Sequence, residues 1–123
     1  MKITTFNPQI ITRDAQSVLK VFEELGFERR HGQENVGSMD VKLIRMRDPN
    51  GFHLDISETK ALPVESVTAI RMNVDDFDEA YEFLTARGFK KFYGEDTVNL
   101  KKSRSAVMIS PSRIVINLVQ HIK

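Results

Sequence analysis

His53 and Asp55 stand two residues apart, just after the turn-forming run Asp48-Pro49-Asn50-Gly51. In an extended strand that spacing puts an imidazole and a carboxylate on one face. Such a pair could move a proton near neutral pH as general base or acid. Arg71 and Asn73 repeat the spacing with a guanidinium and a carboxamide. A guanidinium on a sheet can grip a carboxylate or phosphate through two parallel hydrogen bonds. Each pair also has a plainer reading. No nucleophile accompanies His53, which fits a structural or rim histidine better than a catalytic one. Arg71 could be an internal partner for Asp55, because buried charges are normally paired. His31 and His121 lie in poorly marked or terminal segments and receive no role, and no catalytic residue is assigned.

The composition narrows the chemistry further. The chain has no cysteine, which rules out disulfides, thiolate zinc sites and a cysteine nucleophile. Eighteen basic residues against seventeen acidic ones give a net charge of +1, so no polyanion partner is implied. The basic clusters Arg29-Arg30, Lys90-Lys91 and Lys101-Lys102 with Arg104 are short and interleaved with acids, as on a solvated face, and no nucleic-acid partner is expected. No apolar run approaches the length of a membrane span, and the first residues lack the apolar core of a signal peptide. A cytoplasmic protein without a membrane partner is expected.

The elements that must position these side chains come from an internal repeat. Sliding the sequence by 62 residues aligns its halves without a gap from Asn7 onward. Asp14 falls on Asp76, Gly26-Phe27 on Gly88-Phe89, Gly32 on Gly94, Val36 on Val98, Met46 on Met108 and Pro49 on Pro111. Helix start, helix stop and final turn keep one register. Asp14 caps a helix whose stripe is Ala15, Val18, Leu19, Phe22 and Leu25, and Gly26-Phe27 forms a Schellman-type stop. Asp76 and Glu79 make a capping box before the stripe Phe77, Ala80, Tyr81 and Leu84. One strand precedes each helix, around residues 7–12 and 69–74. Closing strands follow the two turns, at 52–57 and 114–119, while the second strand of each half is poorly marked. The result is one α+β domain over 1–123 made of two βαβββ modules, 1–60 and 66–123, with 59–65 as the linker.

That order, duplicated in so short a chain, resembles the vicinal oxygen chelate superfamily, which includes glyoxalase I, extradiol dioxygenases and bleomycin-resistance proteins. Val74-Asp75-Asp76-Phe77 looks like its strand-to-helix junction and Leu25-Gly26-Phe27 like its helix-to-strand junction. Asp48-Pro49-Asn50-Gly51-Phe52-His53-Leu54-Asp55 looks like its hairpin before an acidic ligand. The resemblance implies a curved-sheet cleft with two metal ligands per module, a histidine or glutamine on the opening strand and a glutamate on the closing one. The matching positions here are Asn7 and Ala69, Asp55 and Asn117. Only Asp55 is an ordinary ligand type; alanine offers no donor, and a carboxamide is weak beside imidazole or carboxylate. The expectation is a degenerate site with no metal and no other cofactor.

The same resemblance sorts the strands by face. Ile10, Leu54, Ile56, Ile70, Met72, Val74, Ile116 and Leu118 then point to the helices. Gln9, His53, Asp55, Arg71, Asn73 and Asn117 line the cleft. If the hairpins are two-residue turns, Lys42, Ile44, Met46, Arg104, Ala106 and Met108 join that face. Methionine and apolar walls with a few amides and charges suit a small organic molecule, one that could be anionic where Arg71 meets it. The leading expectation is therefore a metal-free small-molecule-binding protein, homodimeric by resemblance. The alternatives are a metal-dependent lyase, isomerase or dioxygenase of the same superfamily and a protein-interaction module.

Overall fold

The computed structural model describes residues 1–34, 41–93, 98–99 and 103–121, with side chains set aside at 31–34, 41 and 98–99. The repeat partners Val36 and Gly94, and Lys101 with Lys102, lie outside the described residues. The chain divides into two compact units, residues 7–68 and residues 1–6 with 69–123.

In the unit of residues 7–68, strand β1 (Ile3–Thr12) leads into helix α1 (Ala15–Glu24). Strands β2 (Glu28–Glu34), β3 (Val41–Arg47) and β4 (His53–Thr59) follow. Antiparallel pairing joins β2 to β3 and β3 to β4, and β4 returns to lie parallel to β1. The Asp14 carboxylate accepts from Gln16 N at the start of α1. Glu58, on β4, accepts from Ala15 N at 2.7 Å, which ties the first turn of the helix to the sheet beneath it. The helix ends as expected: Gly26 takes φ 107°, Phe27 N donates to Phe22 O, and the two rings meet edge to face at 5.7 Å. Ala15 and Leu19 pack on Met46, Leu54 and Ile56, with Ile10, Ile44 and Phe22 around them.

The unit of residues 1–6 and 69–123 repeats this plan. Strand β5 (Ser66–Val74), helix α2 (Phe77–Ala86), the short strands β6 (Lys90–Lys91) and β7 (Val98–Asn99), and then β8 (Ser103–Ile109) and β9 (Val115–His121) form its elements. Here β6 and β7 both pair antiparallel with β8, β8 with β9, and β9 lies parallel to β5. Asp76 caps α2 by accepting from Glu79 N at 3.1 Å. The reciprocal half of the expected capping box is not made, because Glu79 pairs with the Met1 amino group at 2.6 Å. Gln120 plays the part of Glu58: it accepts from Phe77 N and donates to Asp75 O, both at 2.8 Å. Phe77, Ala80 and Leu84 pack on Met72, Val74, Ala106, Met108 and Leu118.

The α+β class and the twice-repeated β-α-β order agree with the sequence expectation; the short β7 is an addition. Among the described residues no helix is long and apolar enough to cross a membrane.

One expectation fails at the hairpins. Arg47 pairs with His53 and Met46 with Leu54, so the β3–β4 connection is residues 48–52, not a two-residue turn. Asp48 causes this. Its carboxylate accepts from Asn50 N and Phe52 N, Gly51 N donates to Asp48 O, and Gly51 sits at φ 90°. A turn followed by a left-handed glycine adds one residue to the count. A one-residue slip moves every side chain of the strand to the other face. Ser110 and Arg113 reproduce the device in the second unit, with Arg113 at φ 71° where Gly51 stands in the first.

Candidate site on the helix-free face

That slip corrects three expected ligand-binding residues. Met46 and Met108 are fully buried against α1 and α2, respectively, as core side chains. Arg104 also turns to the helix side, where it pairs with Asp78 at 3.0 Å and lies 4.5 Å from the Phe77 ring centroid. Lys42, Ile44 and Ala106 leave the expected cleft face by the same slip, since they are spaced by two from those residues on β3 and β8 and share their face.

The face of β3 opposite α1 carries Arg45 instead, a residue the sequence reading left out. In the β3–β4 register Arg45 stands directly across from Asp55. Its Nε donates to Asp55 Oδ1 at 2.9 Å and its Nη2 to Oδ2 at 3.2 Å, the fork that matches a guanidinium edge to both carboxylate oxygens. Asn7, on β1, donates Nδ2 to Asp55 Oδ2 at 2.8 Å. Asp55 is 4% exposed, so its charge could not remain there without such partners. The hydrogen bond to Asp55 holds the Arg45 guanidinium above its usual basicity. One signal for Arg45 was present in the sequence: Asp48-Pro49-Asn50-Gly51 suits a turn closed by a left-handed glycine, and that turn places Arg45 opposite Asp55.

The remaining residues fall as follows. Gln9 is fully buried on β1 and donates Nε2 to Ser57 Oγ at 3.3 Å. His53 opens β4 beside Arg47 and is exposed, as a rim histidine would be. On β5, half-buried Arg71 donates Nε to buried Asn73 Oδ1 at 3.2 Å. Asn117 on β9 is the register partner of Arg71, and Ala69 is buried. Val107, on β8, is the register partner of Asn117 on β9, so the position equivalent to Arg45 is apolar in that unit. Residues 31–34 lie in β2 and their side chains are outside the description, His31 among them; His121 is exposed at the end of β9. Tyr93, beside Phe92 at 6.0 Å between ring centroids, has its phenol pushed up to about 12 by burial.

These groups do not fit a metal ion. Asn7 presents amide hydrogens, not its carbonyl oxygen, to Asp55. The carboxylate already holds a guanidinium, and Ala69 has no donor atom. Among the described residues no three His, Cys, Asp or Glu side chains gather as ligands.

No protein-family model matches the chain, and no curated protein does. Solved structures do. Methylmalonyl-CoA epimerase from Mycobacterium tuberculosis matches at 16% identity and TM-score 0.64, over 96% of this chain and 88% of its own. A glyoxalase/bleomycin resistance protein/dioxygenase superfamily member from Vibrio splendidus matches at 13% identity and TM-score 0.60, over 97% and 99%. A glyoxalase I mutant from Zea mays matches at 16% identity and TM-score 0.68, over 98% of this chain and 44% of its own. At these identities the likeness is one of fold.

Proposed function

From a chain that has the fold of the vicinal oxygen chelate superfamily, we propose a metal-free protein that binds a small organic molecule on the helix-free face of its sheet. The observation that carries this reading is the fork of Arg45 on Asp55. Asp55 is the single ordinary ligand type among the four positions the superfamily uses, and its two oxygens are engaged by a fixed cation. A divalent ion would have to displace a guanidinium that is well matched in charge and shape, and would then find one carboxylate and weak neutral donors around it. In the unit of residues 7–68, half-buried Arg45 gives a polar group on that face that could orient a ligand. Fold alone does not fix a reaction, and the superfamily hosts many.

Native mass spectrometry of protein purified without chelator tests the reading. A retained organic mass, or one acquired from a metabolite extract, is the expected result. Saturable binding only of a transition-metal ion, lost in Asp55→Asn, would overturn it.

A further inference from the structure

Arg45 has chemistry left over. Of the five N–H groups of a guanidinium, the Nε–H and one Nη2–H serve Asp55. Both hydrogens on Nη1 and the second on Nη2 remain, and Nη1 makes no hydrogen bond among the described residues. One Nη1–H and the second Nη2–H lie side by side along the far edge of the plane, a second fork with the spacing of two carboxylate oxygens. The Arg45 side chain is 34% exposed against 6% for Asp55, so part of it stays accessible while its partner does not.

The geometry points to Arg45 as the anchor for an organic carboxylate, bound end-on through the Nη1/Nη2 edge while Asp55, itself held by Asn7, occupies the adjacent Nε/Nη2 edge. This rests on the small-molecule reading above and names the class of ligand within it. Asp55 fixes the guanidinium plane through two bonds, and Asn7 fixes Asp55 through a third. The entropy of ordering a long flexible side chain is therefore largely spent before the ligand arrives. Charge selects the kind of anion. With Asp55 already opposite it, Arg45 presents one planar fork and one positive charge, which suits a singly charged planar carboxylate better than a tetrahedral dianion.

Phenylacetate is the probe, with phenylacetamide as its neutral isostere and benzylphosphonate as the tetrahedral anion. The readout is the Nε–H NMR signal of Arg45, assigned by its loss in Arg45→Lys, together with the dissociation constant. Phenylacetate should shift that signal saturably, and phenylacetamide should not. Arg45→Lys keeps the charge but loses the fork and should weaken binding about tenfold. Asp55→Asn gives up part of that ordering but removes a negative charge a few ångströms from the ligand, and the lost repulsion is the larger effect, so binding should tighten about tenfold. That last sign distinguishes the anchor from a ligand site built on the carboxylate itself, where Asp55→Asn weakens binding. No shift with phenylacetate, equal shifts with the amide, or a response to benzylphosphonate alone would overturn the carboxylate anchor. A neutral compound retained in native mass spectrometry would leave the small-molecule reading standing in that case. Ni²⁺ binding that needs Asp55 would remove that reading as well.

Discussion

Met46→Ala separates the two possible faces of β3. Met46 is fully buried, packed with Ala15, Leu19, Leu54 and Ile56 beneath α1. Truncation removes three heavy atoms, and at roughly 0.8 kcal/mol per methylene-sized group the lost transfer energy is about 2 kcal/mol. The side chain is enclosed, so the surroundings relax only in part and the residual cavity adds about 1 kcal/mol. A loss of about 3 kcal/mol in a 123-residue chain corresponds to a fall in Tm of about 12 °C. Urea and thermal unfolding followed by circular dichroism give both numbers. Ligand affinity, measured on the folded variant, should stay within about twofold. A stability loss under about 1 kcal/mol together with a large loss of affinity would place Met46 on the ligand face and refute the register argument.

Other outcomes follow from the same geometry. Arg113 sits at φ 71° in the place that Gly51 fills in the first hairpin, so Arg113→Gly should stabilise the protein by about 1 kcal/mol, read as a higher urea midpoint. Gly26→Ala meets no atom within 4 Å and should cost only the left-handed backbone penalty of about 1–2 kcal/mol. Gly88→Ala adds an approach of 3.0 Å to Pro111 Cγ and should cost more, by the same unfolding assay. Gln120→Leu strips Phe77 N of its acceptor at the start of α2 and should cost about 1–2 kcal/mol. Because burial raises the Tyr93 phenol to about 12, the folded state disfavours the phenolate. The linked stability is intact below the free tyrosine value of about 10 and falls as pH rises toward the folded value. Unfolding free energies across that alkaline range should decline less steeply in Tyr93→Phe.

Much of the fold was legible because its signals are local. Asp14 and Asp76 cap, Gly26 and Gly88 stop, and a constant offset of 62 residues repeats them. The strands β2 and β6 were not, since Glu28–Glu34 is polar and glycine-bearing and Lys90–Lys91 is too short to show a period. The faces were legible on the parallel pairs, where counting from the helix caps sets the parity: Gln9 stands across from Asp55, and Arg71 across from Asn117. They were lost on β3 and β8, whose parity depends on one residue in a turn. The side-chain hydrogen bonds of Asp48 decided that residue, and with it exchanged Met46 for Arg45. Arg104 shows the same effect, taken by Asp78 and the Phe77 ring on the helix side.

The most direct test of the central claim is calorimetric titration of Zn²⁺, Ni²⁺, Fe²⁺ and Mn²⁺ into chelator-treated protein, with elemental analysis of untreated protein alongside. The fork of Arg45 on Asp55 predicts no saturable binding at the site and far less than one equivalent of any transition metal per chain. One equivalent of a metal, bound tightly by the native protein and lost in Asp55→Asn, would contradict it.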